Sequence, residues 1–145
     1  MIHLLDVNVL VALFDPAHTC HDAAHAWFSL HRKDGWATCP LTENGLVRVI
    51  AHPSYSGRRT SVSDAVNRLG RFRRSGHHSF WADSVSLCDA PLVIAREIHG
   101  PGQITDAYLL ALAVKNSGRL VTFDPGIRLA TVSSALPQSL LRLSP

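Results

Sequence analysis

The sequence predicts an α/β domain, a mostly parallel central sheet flanked by helices. Three observations lead there. Short apolar runs at Ile2–Leu5, Trp36–Cys39 and Arg119–Phe123 alternate with longer segments of helical periodicity. Alternation of that kind builds parallel sheets through right-handed crossovers. Acidic residues recur where an apolar run ends or a helical segment begins, at Asp6, Glu43, Asp106 and Asp124. The chain has 145 residues, 46% of them hydrophobic, which suits one domain over 1–145 with a core of its own.

Each element has a local reason. Ile2 to Leu5 reads as a buried strand, ended by Asp6-Val7-Asn8. Val9 to Phe14 is a short helix closed by Asp15-Pro16. A second helix is expected from about Thr19 to Arg32, with Ala23, Ala26, Trp27 and Leu30 on its apolar face. Asp34-Gly35 is a turn, and Trp36 to Cys39 a second strand. Pro40 opens a helix over Leu41 to Ala51, which His52-Pro53 ends.

After the polar loop Ser54 to Arg59, Ser61 is placed to cap a helix carrying Val62, Val66, Leu69 and Phe72. His78 to Trp81 is a strand candidate, and a helix is expected after Asp89. Thr105 is expected to cap a heavily buried helix from Asp106 to Asn116, with Gly118 ending it. Arg119 to Phe123 is a strand, Asp124-Pro125-Gly126 a turn, and Leu140 to Leu143 a last strand candidate.

Composition narrows the class. Fourteen Lys plus Arg against eleven acids give a net charge of +3, which permits a nucleic-acid partner. Only Lys33 and Lys115 are lysines; Arg favours bidentate phosphate contacts. The basic run Arg68, Arg71, Arg73 and Arg74, with Arg58 and Arg59 before it, is the candidate nucleic-acid-binding surface. A solvated helix end, with arginines favouring the dipole, is its bland alternative. Cys20, Cys39 and Cys88 lack disulfide or metal spacing and read as small buried hydrophobes of a reducing cytosol. No stretch spans a membrane or resembles a signal peptide, so a cytoplasmic location is expected.

Each acid has a modest reading of its own. Asp6 can cap a helix, Glu43 and Asp106 can favour a helix dipole, and Asp124 can start a turn. Together they fall on one edge of a parallel sheet, where carboxylates repel unless cations neutralise them. Oxygen-only donors suit Mg²⁺ or Mn²⁺.

At this point the residues resemble a family, the PIN-domain ribonucleases, and within it the VapC-like toxins of bacterial toxin–antitoxin pairs. Four blocks carry the resemblance in order: Leu5 to Leu10, Leu41 to Arg48, Ile104 to Ala113, and Leu120 to Asp124. The family's acidic positions fall on Asp6, Glu43, Asp106 and Asp124, and its supporting polar positions on Asn8, Thr105 and Thr122. The resemblance implies a single PIN domain that hydrolyses RNA with water activated by Mg²⁺ or Mn²⁺, leaving 5′-phosphate ends. Asp6 and Asp106 would bind the principal ion, completed by Glu43 and Asp124. It implies a homodimer, a small cognate antitoxin, and transfer or ribosomal RNA as substrate.

Two other classes stand beside this one. A non-catalytic module of the same fold would bind RNA or antitoxin without turnover. A phosphatase-like domain would also place Asp at strand ends, but Asp6-Val7-Asn8 lacks its second Asp, and a glycine-rich phosphate loop is absent. His21 and His25, four apart on one helical face, suggest zinc, yet no clear third ligand follows and exposed helix histidines are the simpler reading.

Overall fold

The computed structural model describes residues 1–56 and 59–145, so Arg58 of the expected basic surface lies outside the described residues. Five strands form one sheet in the order β3-β2-β1-β4-β5, every neighbouring pair parallel. The strands are β1 (His3–Leu5), β2 (Trp36–Thr38), β3 (His78–Phe80), β4 (Arg119–Thr122) and β5 (Leu140–Arg142). The helices are α1 (Val7–Phe14), α2 (His21–His31), α3 (Pro40–Ile50), α4 (Val62–Arg73) and α5 (Ile104–Lys115). From β1 the chain builds outward to β2 and β3, then returns to place β4 and β5 on the other side of β1. The strand order therefore reverses between β1 and β4, the crevice where ligands of open α/β sheets collect.

Two apolar cores cover the two faces. One gathers around α5, whose Ala107 and Leu109 to Ala113 are all buried. Burying each of its leucines contributes about 1.5–3 kcal/mol. The other joins α1, α3 and α4 through Leu10, Leu46, Leu69 and Trp36. Phe72 belongs to it, 4.4 Å from the Trp36 ring and 5.3 Å from Phe14, as a packing residue rather than a base platform. Gly45 lets α3 approach α1, since a Cβ there would sit 2.6 Å from Val7 Cγ2.

The structure revises six local expectations. Among the described residues no α-helix forms between Asp89 and Gly100; Ala95–Glu97 makes one 3-10 turn. There the Ile94 N–H donates to Thr131 O, and Leu92 O accepts from Ser133 N, so the backbone pairs with a later segment instead of with itself. Thr105 is not a cap: the 3-10 turn Pro101–Gln103 runs straight into α5, which starts at Ile104 and leaves Thr105 exposed in its first turn. Ser117, not Gly118, takes the left-handed position after α5, at φ 54°. The Ser117 and Gly118 N–H groups donate back to Val114 and Ala113, a Schellman ending. Gly118 is small because a Cβ would strike Ile2 O and Trp81, both at 2.6 Å.

The buried face of α2 is Ala24 and Phe28, while Leu30 is 79% exposed. An alanine-rich helix has two nearly equal apolar stripes, and the one carrying Phe28 takes the core, where Phe28 meets Trp36 and Phe72. On α4, Ala65 and Leu69 are buried and Val62 and Val66 face solvent. Of the three free cysteines, Cys39 alone is buried; Cys88 is exposed and Cys20 half-buried. Among the described residues no helix is long and apolar enough to cross a membrane.

Candidate metal centre at the carboxyl edge of the sheet

Asp6 follows the last residue of β1 and is 6% exposed. It is both cap and site residue: its Oδ1 accepts from the Val7 N–H at 2.7 Å, which starts α1. Its Oδ2 accepts from the Thr122 hydroxyl at 2.7 Å and from Asn8 Nδ2 at 3.3 Å. Asn8 also donates to Thr122 Oγ1 at 3.1 Å, and its Oδ1 accepts from the Phe123 N–H at 3.1 Å. Thr122, the last residue of β4, is fully buried. The network thus clamps the two strands at the switch point and fixes the Asp6 carboxylate.

Asp124 lies just beyond β4. Its N–H donates to Thr122 Oγ1 at 3.0 Å, and its Oδ1 accepts from the Gly126 N–H at 2.7 Å. Asp106 comes from the first turn of α5, which runs back along the sheet so that its amino end reaches the same edge. Burial raises the Asp6 carboxyl above its ordinary value; the Thr122 and Val7 hydrogen bonds oppose that, and the Asp124 charge adds to it. Asp106 is pushed up to about 6, first by burial and then by the charges of Asp6 and Asp124. Three carboxyls therefore feel one another across the crevice.

Glu43 stands slightly apart, in the first turn of α3 beyond β2. Its Oε1 accepts from the Thr38 hydroxyl at 2.8 Å and meets Arg73 Nη1 at 3.3 Å. Thr38 ends β2 as Thr122 ends β4, so each of these two strands closes on a buried threonine that donates to an acid. Thr38 Oγ1 also lies 2.7 Å from His78 Nε2. With the threonine proton given to Glu43, His78 Nε2 is the donor. Burial, then the Arg73 charge, lowers His78 to about 4, so the ring is neutral. Thr38 and His78 were missed in the sequence; the one signal was a threonine at the end of each of two strands.

The four expected RNA-binding arginines separate into three roles. Arg68 donates to Phe14 O at 2.6 Å and lies over the Phe14 ring, so it is tied to the core. Arg73 pairs with Glu43 and covers the Phe80 ring at 4.8 Å. Arg71 is exposed on α4 and Arg74 is exposed just past its end. Arg71 also lines a groove of about 670 Å³ with Phe14, Tyr55, Arg59, Asn67 and Arg68. His21 Nδ1 lies 2.7 Å from Ala12 O, and among the described residues His21 and His25 have no third ligand close enough to complete a metal trio.

The donor set suits a hard divalent cation. Asp6, Asp106 and Asp124 offer only oxygens, and among the described residues none of them has a Lys, Arg or His ion-pair partner. Their oxygens do not form a tight trio. Among the described residues, the one His, Cys, Asp or Glu trio with ligand atoms all within 4.8 Å of one another lies elsewhere, at His3, His31 and Asp34.

Known proteins share sequence and fold with this chain. Residues 3–132 match the PIN domain profile. Ribonuclease VapC44 of Mycobacterium tuberculosis is 46% identical over 140 residues, covering 97% of this chain and 98% of that protein. Ribonuclease VapC38 of the same species is 46% identical over 86% of each chain. Two solved structures share the fold at low identity. A chain of the VapBC2 complex of Rickettsia felis, bound to a DNA fragment from their promoter, has a TM-score of 0.61 at 16% identity, covering 99% of this chain and 100% of that one. VapC20 of M. tuberculosis, a toxin that cleaves the sarcin–ricin loop, has a TM-score of 0.62 at 14% identity, covering 93% and 99%. With an acidic crevice at the switch point of a five-stranded parallel sheet and such relatives along nearly its whole length, this chain belongs to the PIN-domain family, among the VapC ribonucleases.

Proposed function

We propose that this chain is a divalent-metal-dependent endoribonuclease and the toxin of a toxin–antitoxin pair. The observation that carries the reading is the convergence of Asp6, Asp106 and Asp124 at the β1–β4 crevice without a basic partner among the described residues. Asp6, Asp106 and Asp124 would hold Mg²⁺ or Mn²⁺, with Glu43 joining them. When bound, such an ion offsets phosphoryl charge and eases loss of a proton from water.

The chain's own residues do the rest. Thr122 and Asn8 fix the direction of Asp6, the role outer partners play at metal sites. Thr38 does the same for Glu43. Arg73 pairs with Glu43 and offsets its charge. Arg71 and Arg74 offer exposed guanidinium forks to RNA phosphates. We assign the cytoplasm as the location, in keeping with three free thiols. We assign a small antitoxin as partner, in keeping with the VapBC2 complex, and a homodimer as the working form; the exposed Val62 and Val66 offer apolar surface for either contact. Ribosomal or transfer RNA is the substrate class.

The test is cleavage of total bacterial RNA by the purified chain, with Mg²⁺ or Mn²⁺, with chelator, and with Asp6→Asn. Discrete cuts bearing 5′-phosphates, lost with chelator and in the variant, are expected. Cuts that survive both overturn the mechanism. Binding of RNA without any cleavage moves the chain to the non-catalytic module.

A further inference from the structure

At the other edge of the sheet lies a second polar cluster that the ribonuclease reading does not use. His3 opens β1, His31 closes α2, and Asp34 ends the 3-10 turn before β2. His3 Nε2 stands 3.8 Å and His31 Nδ1 3.4 Å from the same atom, Asp34 Oδ2. One ligand atom from each residue lies within 4.8 Å of the other two.

His3 makes the cluster informative. It is 4% exposed, and neither ring nitrogen has a hydrogen-bond partner. A buried polar group left in that condition destabilises the fold and needs an explanation. The ring is held in place by Trp27, edge-on at 5.1 Å, and Trp27 stacks on His31 at 5.3 Å. His31 and Asp34 are about half-exposed at 43% and 55%, so the cluster is rigid on one side and open to solvent on the other.

We propose that His3, His31 and Asp34 form a binding site for a borderline-soft divalent cation, of which Zn²⁺ is the type. Two imidazoles and one carboxylate are the donors such an ion prefers, whereas Mg²⁺ takes oxygens. Bonds of about 2.0–2.2 Å to a tetrahedral ion put ligand atoms roughly 3.3–3.5 Å apart. The two contacts to Asp34 are nearly there, and the half-exposed His31 and Asp34 side chains are the ones free to close the rest. A fourth position faces water.

The surroundings support the donor state. Burial, then the Arg119 charge, holds His3 below the ordinary imidazole value, so it is neutral with a lone pair to give. Arg119 and the amino terminus oppose a cation there, and Asp34 offsets them. Arg119 is itself committed to Gln138 O, to which its Nε donates at 2.8 Å. An ion at this place ties β1, α2 and the β2 turn together, so it acts on stability and not on cleavage.

The experiment is calorimetric titration of ZnCl₂ into metal-stripped full-length chain, with excess Mg²⁺ present to occupy the acids. Thermal melts are run in parallel. The proposal expects one equivalent bound, a raised Tm, and affinity at least about tenfold weaker in His31→Ala and Asp34→Asn. Zn²⁺ affinity unchanged in His25→Ala and in Cys88→Ser is also expected, as is the visible absorption of tetrahedral Co²⁺, lost in His31→Ala. Both ligand changes lie at half-exposed positions, and metal-free melts of the variants establish that they fold. Absence of Zn²⁺ binding, binding that survives both ligand changes, or binding lost in His25→Ala or Cys88→Ser overturns the proposal.

Discussion

The two edges of the sheet pose the same electrostatic problem with opposite chemistry. At the carboxyl edge, Asp6, Asp106 and Asp124 crowd like charges, and Asp106 responds by holding its proton up to about 6. At the amino edge, one acid faces two imidazoles, and the strain is a missing partner on His3 rather than repulsion. The first arrangement favours a hard cation and the second a borderline one. Parallel topology explains why they are so different. Helix amino ends and strand carboxyl ends share one edge, where caps and first-turn acids gather. The opposite edge receives helix carboxyl ends and turns, where His31 and Asp34 sit.

The comparison breaks most decisively if the acids do not act as a unit. Asp6→Asn should leave the chain folded and lower Mg²⁺-dependent RNA cleavage by at least about a hundredfold, since several kcal/mol of charge stabilisation depend on the bound ion. A variant with full activity in a single-turnover assay would end the assignment. Thr122→Val tests the clamp on Asp6. It should lower cleavage by about 10–100-fold, the usual range for an outer partner, with RNA affinity unchanged. Equal losses in rate and affinity would mean that Thr122 is merely structural.

The pH dependence of stability sharpens the contrast between edges. Asp106 titrates near about 6 in the folded chain against 3.8 as its ordinary value, so the native state binds the proton more tightly. Its contribution is therefore fully favourable below about 4 and is lost as pH rises toward about 6. In metal-free urea melts, wild type should lose stability across that window relative to Asp106→Asn. Mg²⁺ should remove the difference by neutralising the crevice. A difference of the opposite sign would mean that Asp106 is not crowded.

The smallest effects separate the arginines. Arg71→Ala and Arg74→Ala should each weaken RNA binding and reduce the salt slope by roughly 0.7, as expected for a single-strand phosphate contact. Arg68→Ala should leave that slope alone and cost about 1 kcal/mol of stability, through its bond to Phe14 O. Salt titration of binding and denaturant melts distinguish the two kinds.

Much of this was legible in one dimension. Apolar runs fixed the positions of β1, β2 and β4. Ser61 capped α4 as expected, its hydroxyl accepting from the Asp64 N–H. Asp6 and Asp124 lay where strand ends announced them, because the backbone N–H groups just beyond need an acceptor whatever the function; Glu43 lay in a first helical turn, where the dipole favours an acid. Illegible were the segment after Asp89, whose partners lie near residues 131–133, and the choice between two apolar stripes on α2.

By itself, then, the sequence determined the alternation of elements, the edge on which the acids fall, and the family, because those depend on local pattern and on motif order. The tertiary structure decided which charges meet. Arg73 lies thirty residues from Glu43 in the chain yet is its ion-pair partner, Arg68 is spent on packing, and His3, His31 and Asp34 come together from three elements. Pairing and burial are set by how helices seat on the sheet, and charge interactions steep in distance have no signature in spacing.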